Sequence, residues 1–241
     1  MPLGFFTTVF TQPLYNGLIF LLHYIPGADA GAAVIVFTIF VKFILYPFTK
    51  SSIQTQVKMK QYGPELELLK NQYKENKQVQ AEKIMAFYKE KGLNPLSGFL
   101  LILVQIPIIY ALYYIFLRSG LQVIKPELLY NWHFVTDPIS VSMNFLGLID
   151  ISAKSYLLAF FCAVSQFFQI KLSIPNLKPK QAKTDFKEDL ARSMNVQMKY
   201  FFPVMVFFIS YSLSGTVALY WITSNLFSIG QELYVRRRLK L

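Results

Sequence analysis

The residues able to do chemistry in this chain are those least at home in hydrocarbon. Lys42 stands inside the apolar run Gly31–Lys50, GAAVIVFTIFVKFILYPFTK. At about 1.5 Å per helical residue that run crosses a thin hydrocarbon core. An ammonium at bilayer depth costs about 2.5–3.5 kcal/mol, so it is kept for a use, or else it snorkels to the interface that Thr49 and Lys50 mark. Thr38, Tyr46 and Thr49 fall at steps of three or four from Lys42, on one face of a helix. A polar stripe of this kind suggests a face turned away from lipid. Other apolar runs carry polar residues too: Gln105 in one, Gln166 and Gln169 in another, and Tyr220, Ser224, Ser228 and Gln231 at helical spacing in the last. Each could be interhelical glue, worth about 0.6 kcal/mol on average. Lys42, however, has no carboxylate within any apolar run, because every Asp and Glu lies in a loop, at a terminus or at an interface. Water is then its partner, and a hydrated cavity open to the cytoplasm joins these observations.

The chemistry this set offers is attraction of negative charge rather than bond-making. There is no nucleotide loop and no nucleophile–base pair with readable spacing. His23 and His133 are far apart and lack ligand spacing, so no metal is expected, and no cofactor. The single Cys162 excludes an internal disulfide.

The elements that must position these residues follow from composition. With 241 residues, 54% hydrophobic and 15% charged, the chain is too apolar for an ordinary soluble domain, and it lacks the alternation of a barrel. It reads as an all-α, polytopic membrane protein. Residues 1–30 are expected to form an outer interfacial amphipathic helix and loop, a further span being the alternative, with no cleavable signal peptide. The first span covers 31–49. Residues 50–93 form a cytoplasmic helical hairpin, in which charged residues alternate with Leu66, Leu69, Tyr73, Ile84, Phe87 and Tyr88. A second span at 94–117 contains Gln105 and Pro107, an outer loop follows at 118–153, and a third span at 154–172. A cytoplasmic loop at 173–197, a hairpin of fourth and fifth spans at 198–235 and a basic tail at 236–241 complete the chain.

The net charge of +11 is parcelled between the apolar runs, which argues for topology rather than nucleic-acid binding. Lys50–Lys91 holds nine lysines, Ser173–Gln197 five basic residues and the tail after Val235 four. Residues 1–30 hold none, and the loop at 118–153 only Arg118 and Lys125. This asymmetry puts the N-terminus outside and the C-terminus in the cytoplasm.

At several of these places the sequence resembles the YidC family of membrane protein insertases. Thr11-Gln12-Pro13-Leu14 resembles the start of that family's interfacial helix, and Phe40–Lys50 its charged span. Asn94-Pro95-Leu96-Ser97-Gly98, Gln105-Ile106-Pro107-Ile108 and Ala111-Leu112-Tyr113-Tyr114 are the most specific match, and Leu219–Leu226, LYWITSNL, resembles the last span. The resemblance implies five transmembrane helices around a hydrophilic groove open to the cytoplasm, with no chemical active site. The groove residues would be Lys42, Thr38, Tyr46, Gln105, Gln166, Gln169, Tyr220, Trp221 and Ser224. Lys42 stands where the family has an arginine, so the positive charge is kept and the planar fork for a carboxylate is lost. Ser214-Gly215-Thr216-Val217 departs from the family's Pro-Ser/Ala-Gly-Leu, and a minimal bacterial form in the cytoplasmic membrane, without the large outer domain of some members, is expected, an organellar chain being the alternative. Nascent membrane proteins and the lipid bilayer are the implied partners, together with a ribosome, signal-recognition targeting factors and a Sec translocon. A small-solute transporter or channel is the alternative, although no internal repeat supports it.

Overall fold

A computed structural model describes residues 4–94, 97–119, 124–130, 140–174 and 193–239, and these are almost entirely helical. In order they form α1 (Gln12–Tyr24), α2 (Ala30–Ile44), α3 (Tyr46–Gln61), α4 (Gly63–Gln72), α5 (Lys77–Glu90), α6 (Ser97–Tyr113), α7 (Tyr156–Ser173), α8 (Phe202–Ser212) and α9 (Gly215–Arg238). Wider π-type turns lead into α1 at Thr7–Thr11, continue α6 at Tyr114–Ser119 and precede α8 at Gln197–Phe201. The chain divides into two compact units, one made of Met1–Ile44 and Gln105–Ile229, the other of Leu45–Val104 and Gly230–Leu241.

The first unit has the burial pattern of a membrane protein. Large apolar side chains such as Phe40, Phe43, Phe160, Phe168, Val204 and Phe208 are exposed, whereas Thr38, Ser165, Gln166, Ser210, Thr223 and Asn225 are buried. In water this arrangement would be unfavourable, but in lipid it keeps polar groups off hydrocarbon. By length and composition α7, with 18 residues, is long and apolar enough to cross a membrane alone, and α2 with α3 passes the same test as a broken pair.

The continuous helix expected over 31–49 is thus two helices. α2 ends at Ile44 and α3 starts at Tyr46, with Leu45 between them at φ −80°, ψ −4°. Pro47 explains the break: it has no N–H for the carbonyl four residues back, and its ring crowds that turn.

Loop segments are sewn onto the helices through specific polar residues. Asn16 of α1 is buried, donates to the carbonyl of Leu128 (2.7 Å) and accepts from the N–H of Tyr130 (2.8 Å). The Tyr15 hydroxyl accepts from the N–H of Lys125 at 2.8 Å. Asp29 caps α2: Oδ1 accepts from the N–H groups of Gly31 (2.8 Å) and Ala32 (3.1 Å), satisfying donors that a helix start leaves orphaned. Its Oδ2 accepts from Leu146 N–H at 2.8 Å, which holds that residue at φ +52°. Leu146 turns a small antiparallel ribbon, β1 (Asn144–Phe145) and β2 (Ile149–Asp150), within the stretch expected to be a plain loop. Phe145 lies over Gly31, where any Cβ would run into the ring. Just beyond the ribbon, Ser152 donates through its hydroxyl and N–H to Asp150, which holds that carboxyl below its usual range. The carbonyls of Ile151 and Ala153 accept from the N–H groups of Thr216 and Gly215, both at 2.9 Å, so the ribbon's tail also satisfies the start of α9.

In the second unit, Val235 of α9 packs with Ile53 and Val57 of α3, and Leu239 joins this cluster. Gln231 donates to the Tyr46 carbonyl (3.4 Å) and to the Thr49 hydroxyl. α4 and α5 bury no residue fully and pack on each other. Lys91 fastens them, 3.6 Å from Glu65 and 3.4 Å from Glu90, over the rings of Tyr62 and Phe87. The bond to Glu90 in particular raises the Lys91 pKa.

Candidate functional site

Within the first unit α2, α6, α7, α8 and α9 surround a cavity of about 670 Å³. Its lining is mostly apolar, with Ile106, Ile109 and Tyr113 of α6 and Ile209 of α8. Polar groups among the lining come from Lys42 of α2, Gln169 of α7, and Ser224, Asn225 and Ser228 of α9. Tyr220 and Trp221 also line it. On α9 these residues recur at steps of three and four, so helical geometry alone turns them to one side.

Lys42 reaches the cavity from the last turn of α2. Phe43 stands edge-on to Phe227 of α9, centroids 5.2 Å apart, which holds the two helices together there. Lys42 Nζ then donates to Ser228 Oγ at 3.3 Å, and that hydroxyl donates to the Ser224 carbonyl at 2.8 Å. An ammonium has three donors, and Ser228 takes one of them. No carboxylate lies within ion-pair distance of it among the described residues.

A chain of amides links α7 to α9 beside the cavity. Trp221 Nε1 donates to Gln166 Oε1 at 2.9 Å, and Asn225 Nδ2 donates to the same oxygen at 3.2 Å and to Ser165 Oγ at 3.1 Å. Gln166 Nε2 donates to Gln169 Oε1 (3.2 Å), and Gln169 Nε2 to Ser173 Oγ (3.2 Å). Ser165 donates onward to the Cys162 carbonyl at 2.8 Å. The chain locks α7 to α9 and fixes the rotamers of Gln169 and Trp221 at the cavity wall. The resulting arrangement sets one cation, with oriented amides and hydroxyls, among mostly apolar side chains. It can hold water and a negative or polar group while presenting apolar surface to whatever is attached.

Of the residues singled out from sequence, Lys42, Gln169, Tyr220, Trp221 and Ser224 line this cavity. Gln166 is one layer back, in the amide chain. Thr38 is buried and donates to the Val34 carbonyl of its own helix at 2.6 Å. Tyr46 lies past the break at Leu45, in the second unit. The side chain of Gln105 lies outside the described residues, as do Trp132 and His133. Asn225 is the residue that the polar stripe of α9 left out. It lies four residues after Trp221 and three before Ser228, and that spacing was there to be read.

A family model described as 60Kd inner membrane protein matches residues 21–241. Curated relatives named membrane protein insertase YidC, from Francisella tularensis subsp. novicida (strain U112), subsp. holarctica (strain LVS) and subsp. tularensis (strain SCHU S4 / Schu 4), are each 32% identical over 218 residues. The match covers 90% of this chain and 34% of each relative, so the chain spans about a third of their length.

Proposed function

The chain belongs to the 60Kd inner membrane protein family, that of the YidC insertases, and from this membership we propose that it inserts nascent membrane proteins into the bacterial cytoplasmic membrane and helps them fold. The observation that carries the reading is Lys42: a cation with no carboxylate beside it among the described residues, lining a mostly apolar cavity that also carries the polar side chains of Gln169, Ser224, Asn225 and Ser228. A hydrated groove open to the cytoplasm shortens the low-dielectric path, so a polar tail crosses without being fully desolvated. Lys42 attracts Asp or Glu in that tail. The substrate's apolar segment then leaves between helices into lipid, driven by hydrophobic transfer. Five spans enclose the groove, with the N-terminus outside and the C-terminus in the cytoplasm. The hairpin of α4 and α5 receives the nascent chain, and the basic loop and tail face a ribosome, targeting factor or Sec translocon.

Reconstitution of the purified chain in liposomes with a labelled single-span substrate tests this. The expected result is protected, membrane-integrated substrate that is absent from empty liposomes, with no flux of small solutes. Solute flux without insertion would establish the transporter reading instead.

A further inference from the structure

A second concavity lies in the other unit, outside the proposed insertase site. It has a volume of about 290 Å³ between the start of α3 and the last turns of α9, and is lined by Tyr46, Lys50, Gln54, Tyr234 and Arg238, with Val235 and Leu239 at its base. Its walls are fixed. Val235 and Leu239 belong to the apolar cluster with Ile53 and Val57, and Gln231 ties α9 to the first turn of α3.

The basic residues at the end of α9 have different fates. Arg236 is neutralised by the buried Glu232, whose Oε1 accepts from Nε at 3.0 Å and from Nη2 at 2.7 Å. Arg237 is exposed and does not line the concavity. Arg238 lines it, with its guanidinium over the Tyr234 ring at 5.3 Å and no carboxylate partner among the described residues. Lys50, across the concavity on α3, has none either.

Both helices change character at this point. The apolar run ends at Tyr46–Phe48 before Lys50, and the last apolar stretch ends at Leu233 and Tyr234 before the arginines. Tyrosine and basic side chains side by side at the end of an apolar run mark headgroup depth. A guanidinium, an ammonium, a carboxamide and phenol groups around one small space make a donor set for phosphate oxygens.

We propose that this concavity binds the phosphate of an anionic phospholipid headgroup, with Lys50 and Arg238 as its cationic ligands and Tyr46 and Gln54 as polar neighbours. The site binds one lipid of the surrounding leaflet, not substrate. The inference rests on the chain being embedded in a bilayer and not on the insertase reading.

The test uses the full chain purified in zwitterionic detergent and titrated with phosphatidylglycerol and with phosphatidylcholine, bound lipid being counted by native mass spectrometry. One phosphatidylglycerol should be retained in preference to phosphatidylcholine. Arg238→Gln and Lys50→Gln should each weaken its binding roughly tenfold or more, as expected for lost hydrogen bonds between charged groups. Arg237→Gln, which removes the same charge one residue away, should weaken it by no more than about fivefold, the scale of diffuse surface attraction. The variants should keep the wild-type circular dichroism, since the altered side chains are at the surface. Equal losses in Arg237→Gln and Arg238→Gln would overturn the proposal in favour of diffuse attraction. Displacement of the lipid by millimolar inorganic phosphate would overturn the lipid as the ligand.

Discussion

Single residues decide how the polar interior is kept satisfied. Asn16 binds the backbone of Leu128 and Tyr130, so Asn16→Leu would remove the donor to the buried Leu128 carbonyl and the acceptor for the Tyr130 N–H. That change should destabilise the chain by about 1–3 kcal/mol, read as an earlier unfolding midpoint in detergent. Asn225 bridges Ser165 and Gln166, and Asn225→Ala should cost less, about 0.6–1.7 kcal/mol, the range of interhelical hydrogen bonds in membrane proteins. A midpoint shift for Asn225→Ala equal to that for Asn16→Leu would show that the amide chain does more than hold α7 to α9. Lys42 and Gln169 were legible in the sequence because a charge or amide within an apolar run is conspicuous, and Ser224 because it falls at helical spacing with Tyr220 and Ser228. The bonds among Gln166, Trp221 and Asn225 were not, because periodicity along one helix says nothing about which residue of another helix it meets. Thr38 looked like part of Lys42's stripe, but a threonine can satisfy itself on its own helix, and this one does.

At the level of elements, the helices were legible from their apolar runs and their ends less so. Pro47 was visible, yet the run around it is so apolar that it read as one span; the missing N–H of proline outweighs hydrophobic continuity. The loop at 118–153 read as irregular because a ribbon of two-residue strands has no period to detect. It matters as a clasp. Asp29 serves both the N-terminus of α2 and the Leu146 turn, so Asp29→Ala should lower stability by about 0.5–2 kcal/mol and expose the 142–151 segment to protease. Thermal unfolding and limited proteolysis read these two effects separately. The hairpin of α4 and α5 makes local contacts and buries no residue fully, so deletion of Gly63–Glu90 should leave stable membrane expression intact and impair insertion. Loss of expression would make the hairpin structural.

For the whole molecule, the mostly helical membrane class followed from composition and the missing barrel alternation, because a chain this apolar must satisfy its backbone internally. The burial pattern of the first unit agrees with it, with polar side chains such as Gln166 and Asn225 inside and large apolar ones such as Phe40, Phe160 and Phe208 outside. Orientation rests on the distribution of Lys and Arg alone. Single cysteines at Lys77 and Ser173 should be labelled only from the cytoplasmic side, and one at Lys125 only from outside. Labelling of all three from one side would contradict the five-span arrangement.

The central claim is that Lys42 attracts acidic groups of a substrate across a hydrated cavity. It is tested most directly by measuring insertion of two substrates, differing only in whether the translocated tail carries Asp and Glu, by Lys42 variants reconstituted side by side. Charges in a hydrated setting interact by on the order of 1 kcal/mol, so Lys42→Ala should slow insertion of the acidic tail roughly fivefold and spare the neutral one. Lys42→Arg should retain activity, Lys42→Glu should depress acidic tails further, and Gln169→Lys, which also lines the cavity, should rescue Lys42→Ala. Equal insertion of both substrates by every variant would contradict the account and leave Lys42 as a tolerated charge near the interface.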